Sequence, residues 1–120
     1  MSGRMRGMRL LLLTATGRKS GKSRTVPLMG MEDGPYYIVI ASNGGQDRHP
    51  AWFLNLGSNS NAFIQVGRKR RAAVAEELAG QERERFWNQL VAKAPNYQNY
   101  QNRTKRQIPM RRLRLQRFVP

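Results

Sequence analysis

Apolar residues in this chain fall into short runs broken by glycine, proline and charged turns, the pattern of a domain built mostly from strands. Leu10 to Leu13 predicts a first strand that could be buried on both faces, and Thr25 to Met31 a returning second strand. Glu32-Asp33-Gly34-Pro35 is a strong turn signal, and Tyr36 to Ala41 predicts a third strand. The polar stretch Ser42 to His49 then leads through Pro50 into a short helix, Ala51 to Leu56, that Gly57 is expected to end. Asn61 to Val66 and Lys69 to Leu78, joined by Gly67-Arg68, read as a second hairpin.

Gln81 to Ala94 has the helical period, with Phe86, Trp87, Leu90, Val91 and Ala94 on one stripe that should close an end of a barrel. Glu82 and Glu84 lie near its positive N-terminus. Pro95 interrupts it, and Asn96 to Thr104 adds a polar helical turn or two with Tyr97 and Tyr100 on one face. From Met110 to Phe118, Leu113 and Leu115 alternate with Arg112 and Arg114 as in an edge strand. The order β-β-β-α-β-β-α-β, with no crossover units, predicts a mainly β, α+β fold. Its architecture is a small antiparallel barrel of about six strands with two or three packed helices. One domain is expected across residues 1–120, residues 1–8 forming a frayed basic arm.

Charge narrows the partner. A formal net charge of +15 calls for an acidic one: nucleic acid, anionic lipid or a polyanionic small molecule. The chain has no cysteine and a single histidine, so disulfides, thiolate chemistry and a metal centre are not expected. A reducing cytoplasm is compatible with this usage, and four leucines cannot span a bilayer.

The basic turn between the first two strands is the strongest local signal. Gly17 and Gly21 bracket Arg18, Lys19 and Ser20, with Lys22 and Arg24 following, and such a turn can hold an anion in its backbone N–H groups and cations. It is not a nucleotide-triphosphate loop, which needs four residues between its glycines and a helix after Lys-Ser/Thr; here Thr25-Val26-Pro27 continues as extended chain. His49 reads as a loop-positioning residue. Arg103, Lys105, Arg106, Arg111, Arg112, Arg114 and Arg117 read as a solvated cationic face. A competing reading is a basic nucleic-acid-binding barrel, with Tyr36, Tyr37 and Phe63 as stacking platforms.

Three segments, LLLTATGRKSGKSRTVP (11–27), ASNGGQDRHPAWFLNL (41–56) and PNYQNYQNRTKRQIP (95–109), together resemble the deazaflavin-dependent nitroreductase family, in family order and with near-family spacing. The resemblance implies a split β-barrel related to flavin-mononucleotide oxidases, binding coenzyme F420, a deazaflavin with a phosphate and a polyglutamate tail. It implies an enzyme, an F420H2-dependent reductase that passes hydride to an electron-poor quinone, nitro compound or enone; a split-barrel oxidase using flavin mononucleotide is the alternative within the enzymes. Arg18, Lys19, Ser20 and Arg24 would hold the phosphate and tail. Pro27 and Leu28 would lie beside the ring, Ile40, Ala41, Ser42 and Asn43 would form a hydrogen-bonding edge, and Ala51, Trp52, Phe53, Leu54 and Asn55 would wall the far side.

Tyr97 would touch both ring and acceptor, with Ser42 and Tyr97 as the residues nearest the chemistry, while Met29 and Tyr100 would help to form the acceptor pocket. Relatives commonly carry tyrosine where Ala94 stands, an aromatic at Met29 and lysine at Asn43, which implies a more open acceptor pocket with altered choice. They are usually apolar at Arg112 and Arg114, which implies a solvent-facing edge here, and longer ones have an N-terminal helix before the first strand. The implied partners are a small-molecule acceptor and no nucleic acid. Peripheral contact with an anionic membrane from the cytoplasmic side, and a monomer or homodimer, are compatible.

Overall fold

The computed structural model describes the backbone of Arg4 and Met5 and all of residues 7–116. Seven strands form one antiparallel sheet: β1 (Arg4–Met5), β2 (Met8–Thr16), β3 (Ser23–Asp33), β4 (Tyr36–Ile40), β5 (Asn61–Val66), β6 (Lys69–Glu77) and β7 (Met110–Leu115). Three helices accompany them, α1 (Ala51–Ser58), α2 (Gly80–Lys93) and α3 (Asn96–Asn102), and a single 3₁₀ turn spans Asn43–Gly45. The sheet order is β1-β2-β3-β4-β7-β6-β5, and β5 pairs back onto β2 through Leu12↔Gln65 and Thr14↔Phe63, closing a six-strand barrel. Closure leaves no long unpaired edge in the barrel wall. The expected split barrel of six antiparallel strands is therefore observed.

Period-two alternation sorts the core into two layers. Leu11, Leu13, Val39, Ile64, Ala73, Ala75 and Leu113 point into the barrel, joined by Trp52, Phe53 and Leu56 of α1. On the outside, Met31, Ile38, Ile40 and Met110 meet Phe86, Trp87 and Leu90 of α2. Ile38 and Val39 thus serve opposite layers, as neighbouring strand residues must. The stripe on α2 covers the outer wall instead of closing an end, and it is α1 that adds its aromatic residues to the barrel interior.

Four further expectations are corrected. Leu10 and Leu12 are 49% and 37% exposed while Leu11 and Leu13 are buried, because among the described residues the outer core covers that face of β2 only at Met8. Part of the predicted frayed arm is paired, with Arg4↔Arg9 and Met5↔Met8 in register and Met8 buried in the outer core; residues 1–3 and 6 lie outside the described residues. Gly57 does not end α1, which runs one residue further and closes with Asn59 N–H donating to the Asn55 carbonyl at 2.9 Å. A Cβ at Gly57 would come within 3.3 Å of an Arg111 guanidinium nitrogen, so this glycine makes room for a side chain and does not turn the backbone.

The fourth correction concerns β7, which is no edge: it pairs with β4 on one side and β6 on the other. Its outward arginines are consequently ion-paired. Arg112 reaches Glu82 of α2 at 3.0 Å and Glu76 of β6 at 3.3 Å, and Arg114 lies 2.8 Å from Glu76. The predicted extension to Phe118 runs beyond the described residues, as does Arg117.

Candidate functional site

The turn between β2 and β3 is built by its own hydrogen bonds. Gly17 N–H donates to the Lys22 carbonyl at 2.8 Å, Gly21 N–H to the Gly17 carbonyl at 2.8 Å, and Lys22 N–H to Ser20 Oγ at 3.2 Å. Gly21 takes φ +71°, open to glycine at no steric cost. A fourth amide, that of Arg18, donates to Asn55 Oδ1 at 3.1 Å, and the Arg18 guanidinium donates to the same oxygen at 3.0 Å. These four N–H groups are therefore spent inside the protein. The anion-holding capacity expected of the turn thus falls to its side chains and its other amides, and Asn55, 5% exposed on α1, is the residue that aims Arg18.

Above this turn lies a cavity of about 510 Å³ whose lining includes Arg18, Lys19, Ser20, Arg24, Trp52 and Asn55, with no carboxylate among the described residues that line it. A second cavity of about 690 Å³ shares Arg18, Val26, Ala51 and Trp52 with the first and extends past Asn43, Asp47, Arg48, His49 and Leu54. The two make one groove: a strongly cationic end on the hairpin, an indole wall at its centre, and the 42–50 loop at its far end.

That loop owes its shape to a residue the sequence reading left on a solvated face. The Arg106 guanidinium donates to the carbonyls of Gln46 at 2.9 Å, Ala41 at 3.1 Å and Ser42 at 2.9 Å, and it lies 3.2 Å from His49 Nδ1. The loop is tied to the same segment again where Thr104 Oγ1 donates to Asp47 at 2.8 Å. At Gly45, φ +83°, a Cβ would fall 2.9 Å from the Tyr100 carbonyl, so α3 packs directly on the turn. Nothing local in the sequence announces this clamp, because its partners lie 57 to 65 positions away.

The sequence-predicted site residues divide into two groups. Arg18, Lys19, Ser20, Arg24, Asn43, Ala51, Trp52, Leu54 and Asn55 line the groove. Phe53 faces the barrel interior, with the Arg111 guanidinium 4.2 Å from its ring centroid, and Leu28 packs on the same inner core. Ile40 and Ala41 are buried in the outer and inner layers, Pro27 is exposed on β3, and Ser42 contributes its carbonyl to the Arg106 clamp. Met29, Tyr97 and Tyr100 gather elsewhere, packed on the outer core, the two tyrosine rings edge to face at 5.6 Å. Burial, reinforced by Tyr100, raises the Tyr97 pKa above the usual phenol value, so this side chain is a neutral hydrogen-bond donor at physiological pH.

The stacking platforms of the nucleic-acid reading are poorly presented. Phe63 lies under Arg70 with the guanidinium 4.0 Å from its centroid, and Tyr36 has Arg112 at 5.2 Å. Two of the three aromatics are thus already engaged by the chain's own arginines. Among the described residues there is no group of three or more histidine, cysteine, aspartate or glutamate side chains able to hold a metal ion.

Residues 1–114 match the model of a family described as F420H(2)-dependent quinone reductase. An F420H(2)-dependent quinone reductase of Mycobacterium tuberculosis is 40% identical over 104 residues, covering 83% of this chain and 69% of the relative. Among solved structures, one described as an F420-H2 dependent reductase superposes with a TM-score of 0.79 at 42% identity, covering 87% of this chain and 92% of that one. Another, described as a domain-swapped dimer, superposes with a TM-score of 0.80 at 40% identity, covering 92% and 81% respectively.

Proposed function

The chain belongs to the F420H(2)-dependent quinone reductase family, and on that premise we propose how its own groove performs the family's reaction. It is an oxidoreductase that uses coenzyme F420 to reduce a quinone-type acceptor. The observation that carries the assignment of the groove is the convergence of Arg18, Lys19 and Arg24 with the Trp52 wall, around a cavity without a lining carboxylate.

The residues present fit the group. Its phosphate and glutamate tail need several cations that are not already neutralised, and Arg18, Lys19 and Arg24 are exposed with no ion pair among the described residues. Arginine forks grip phosphate and carboxylate oxygens in pairs of parallel hydrogen bonds, and Asn55 holds one such fork ready, so less side-chain freedom is lost on binding. The flat deazaflavin needs a rigid apolar face, which Trp52 supplies while remaining 8% exposed. When bound in reduced form, the coenzyme supplies the hydride, and the acceptor takes up a proton as well to become the hydroquinone.

The protein's share is to bind, orient and exclude water. Arg18, Lys19, Ser20 and Arg24 anchor the anionic end. Ala51, Trp52, Leu54 and Asn43 line the continuation of the groove. Ser42 contributes through the Arg106 clamp, while Pro27, Leu28, Ile40, Ala41 and Phe53 lie outside the cavity lining and support the groove only through the strands and α1. Tyr97, with Met29 and Tyr100 on the same outer core, lies outside the two cavities, and its proposed part as a positioning donor for the acceptor rests on the family resemblance. The described residues act as one coenzyme-binding domain, in the cytoplasm, as a monomer or a homodimer. No helix among the described residues is long and apolar enough to cross a membrane. Peripheral contact with anionic lipid, through which a lipophilic quinone could be reached, is proposed to use the cationic surface.

A fluorescence titration with coenzyme F420, run beside one with flavin mononucleotide, tests this reading. Saturable binding of F420, weakened by about tenfold or more in Arg24→Ala through loss of a charged hydrogen bond, is expected. F420 affinity unchanged by both Lys19→Ala and Arg24→Ala would remove the coenzyme tail from this groove.

A further inference from the structure

The chain contains one histidine, and its ring environment is defined from two sides. Nδ1 lies 3.2 Å from an Arg106 guanidinium nitrogen, and the ring packs against Phe53 with centroids 4.9 Å apart. A guanidinium can only donate, so Nδ1 must be the acceptor, and the proton of a neutral imidazole must then sit on Nε2. Arg106 cannot turn away cheaply, because three of its other four donors are held by the carbonyls of Ala41, Ser42 and Gln46. His49 itself lines the groove, in the cavity that Arg18 of the hairpin also lines.

We propose that Arg106 locks His49 in the Nε2–H tautomer, making His49 a fixed neutral donor that recognises a hydrogen-bond-accepting oxygen of the ligand in this groove. The ligand class is one with a carbonyl or phosphate oxygen at that end. Arg106 is the positioning residue and His49 the contact. The inference rests on the groove being the coenzyme site for the ligand's identity, but not for the tautomer itself. Electrostatics run the same way. Burial is the main cause holding the imidazole pKa below its ordinary value; Arg106 and Arg111 push it further down and Glu77 opposes them. Asp47, the carboxylate of the 42–50 loop, accepts from Thr104. At neutral pH the ring is therefore uncharged, and it can donate without adding another cation to a groove that already has several.

Having a single histidine makes the test unambiguous. In uniformly ¹⁵N-labelled protein without ligand, long-range proton–nitrogen correlation at pH 7.5 should give one imidazole with a pyrrole-type Nε2 and a pyridine-type Nδ1. Arg106→Lys, which loses the fork, should move both nitrogens toward averaged values. A protonated Nδ1, or averaged shifts in the native chain, would overturn the lock. For the contact, oxidised coenzyme F420 is titrated into His49→Ala and His49→Gln. A loss of about three- to tenfold in the alanine variant with partial recovery in the glutamine variant, which restores an N–H donor, is expected for one neutral hydrogen bond. Equal affinity in all three proteins would overturn the ligand contact. If the native chain does not bind F420 at all, the coenzyme reading falls and the contact with it, whereas the nitrogen shifts still decide the lock.

Discussion

At the scale of single residues, the site depends on polar groups placed to hold other polar groups. Asn55 is the clearest case. It resembles a coenzyme contact in the sequence, yet its side-chain oxygen accepts both the backbone and the guanidinium of Arg18. Replacing it with alanine leaves the part-buried amide of Arg18 without its partner and frees the arginine. Asn55→Ala should therefore lose about 1–2 kcal/mol of stability and bind F420 more weakly, while Asn55→Asp, which keeps an acceptor and adds a charge opposite Arg18, should stay within about 1 kcal/mol of the native chain. Urea unfolding with parallel coenzyme titrations would check both. Weaker binding in Asn55→Ala with Arg18→Ala no worse would indicate that aiming Arg18 is the main service of Asn55. Full-strength binding in Asn55→Ala would contradict it.

At the scale of elements, the outward arginines of β7 join parts of the chain that the sequence leaves apart. Arg112 reaches Glu82 on α2 and Glu76 on β6, which pins the first turn of α2 to the wall it covers. Both carboxylates are partly exposed, so solvent screening keeps the contribution small. Arg112→Leu should cost about 1 kcal/mol, and a double-mutant cycle with Glu82→Gln should give a coupling of about 0.5–1 kcal/mol that shrinks in high salt. No coupling at low salt would mean that this ion pair adds nothing to the packing of Phe86, Trp87 and Leu90 and the Arg83–Ile108 hydrogen bond that also hold α2. The same strand shows where sequence reading stops. Alternation of Leu113 and Leu115 with arginines correctly gives a strand with one buried face. It cannot say whether that strand lies at an edge or between β4 and β6, because that depends on partners more than thirty positions away.

Other features follow the same division between local and distant causes. The hairpin at Gly17–Lys22, the β5–β6 hairpin and the stripe on α2 were legible because turn chemistry and period are local. The two-faced burial expected for Leu10–Leu13 failed since an apolar run does not reveal what covers each face, and Arg106 was passed over because a clamp across the fold has no local signature. For the groove, the cations, Trp52 and Asn55 could be named from motif resemblance. That four amides of the basic turn are internally consumed could not, since one of them depends on α1 returning to the hairpin.

At the scale of the whole molecule, a net charge of +15 raises the question of whether an anionic coenzyme is held by a particular set of cations or merely attracted by a general field. The barrel separates the two possibilities in space. Arg24 lies at the mouth beside α1, whereas Arg68 occupies the Gly67-Arg68 turn at the opposite end of the strands, where it lines a different cavity. Each substitution removes the same unit of net charge. A field effect should weaken F420 binding equally in Arg24→Ala and Arg68→Ala, and both losses should vanish at an ionic strength where the screening length falls to roughly 3 Å. A local grip predicts a loss on the order of tenfold in Arg24→Ala that persists in part at 1 M salt, and almost none in Arg68→Ala, since hydrogen-bonded contact is screened far less than attraction at a distance. Affinities measured for both variants at low and high salt decide between them, and equal losses that salt abolishes would dismiss the hairpin as a specific anchor.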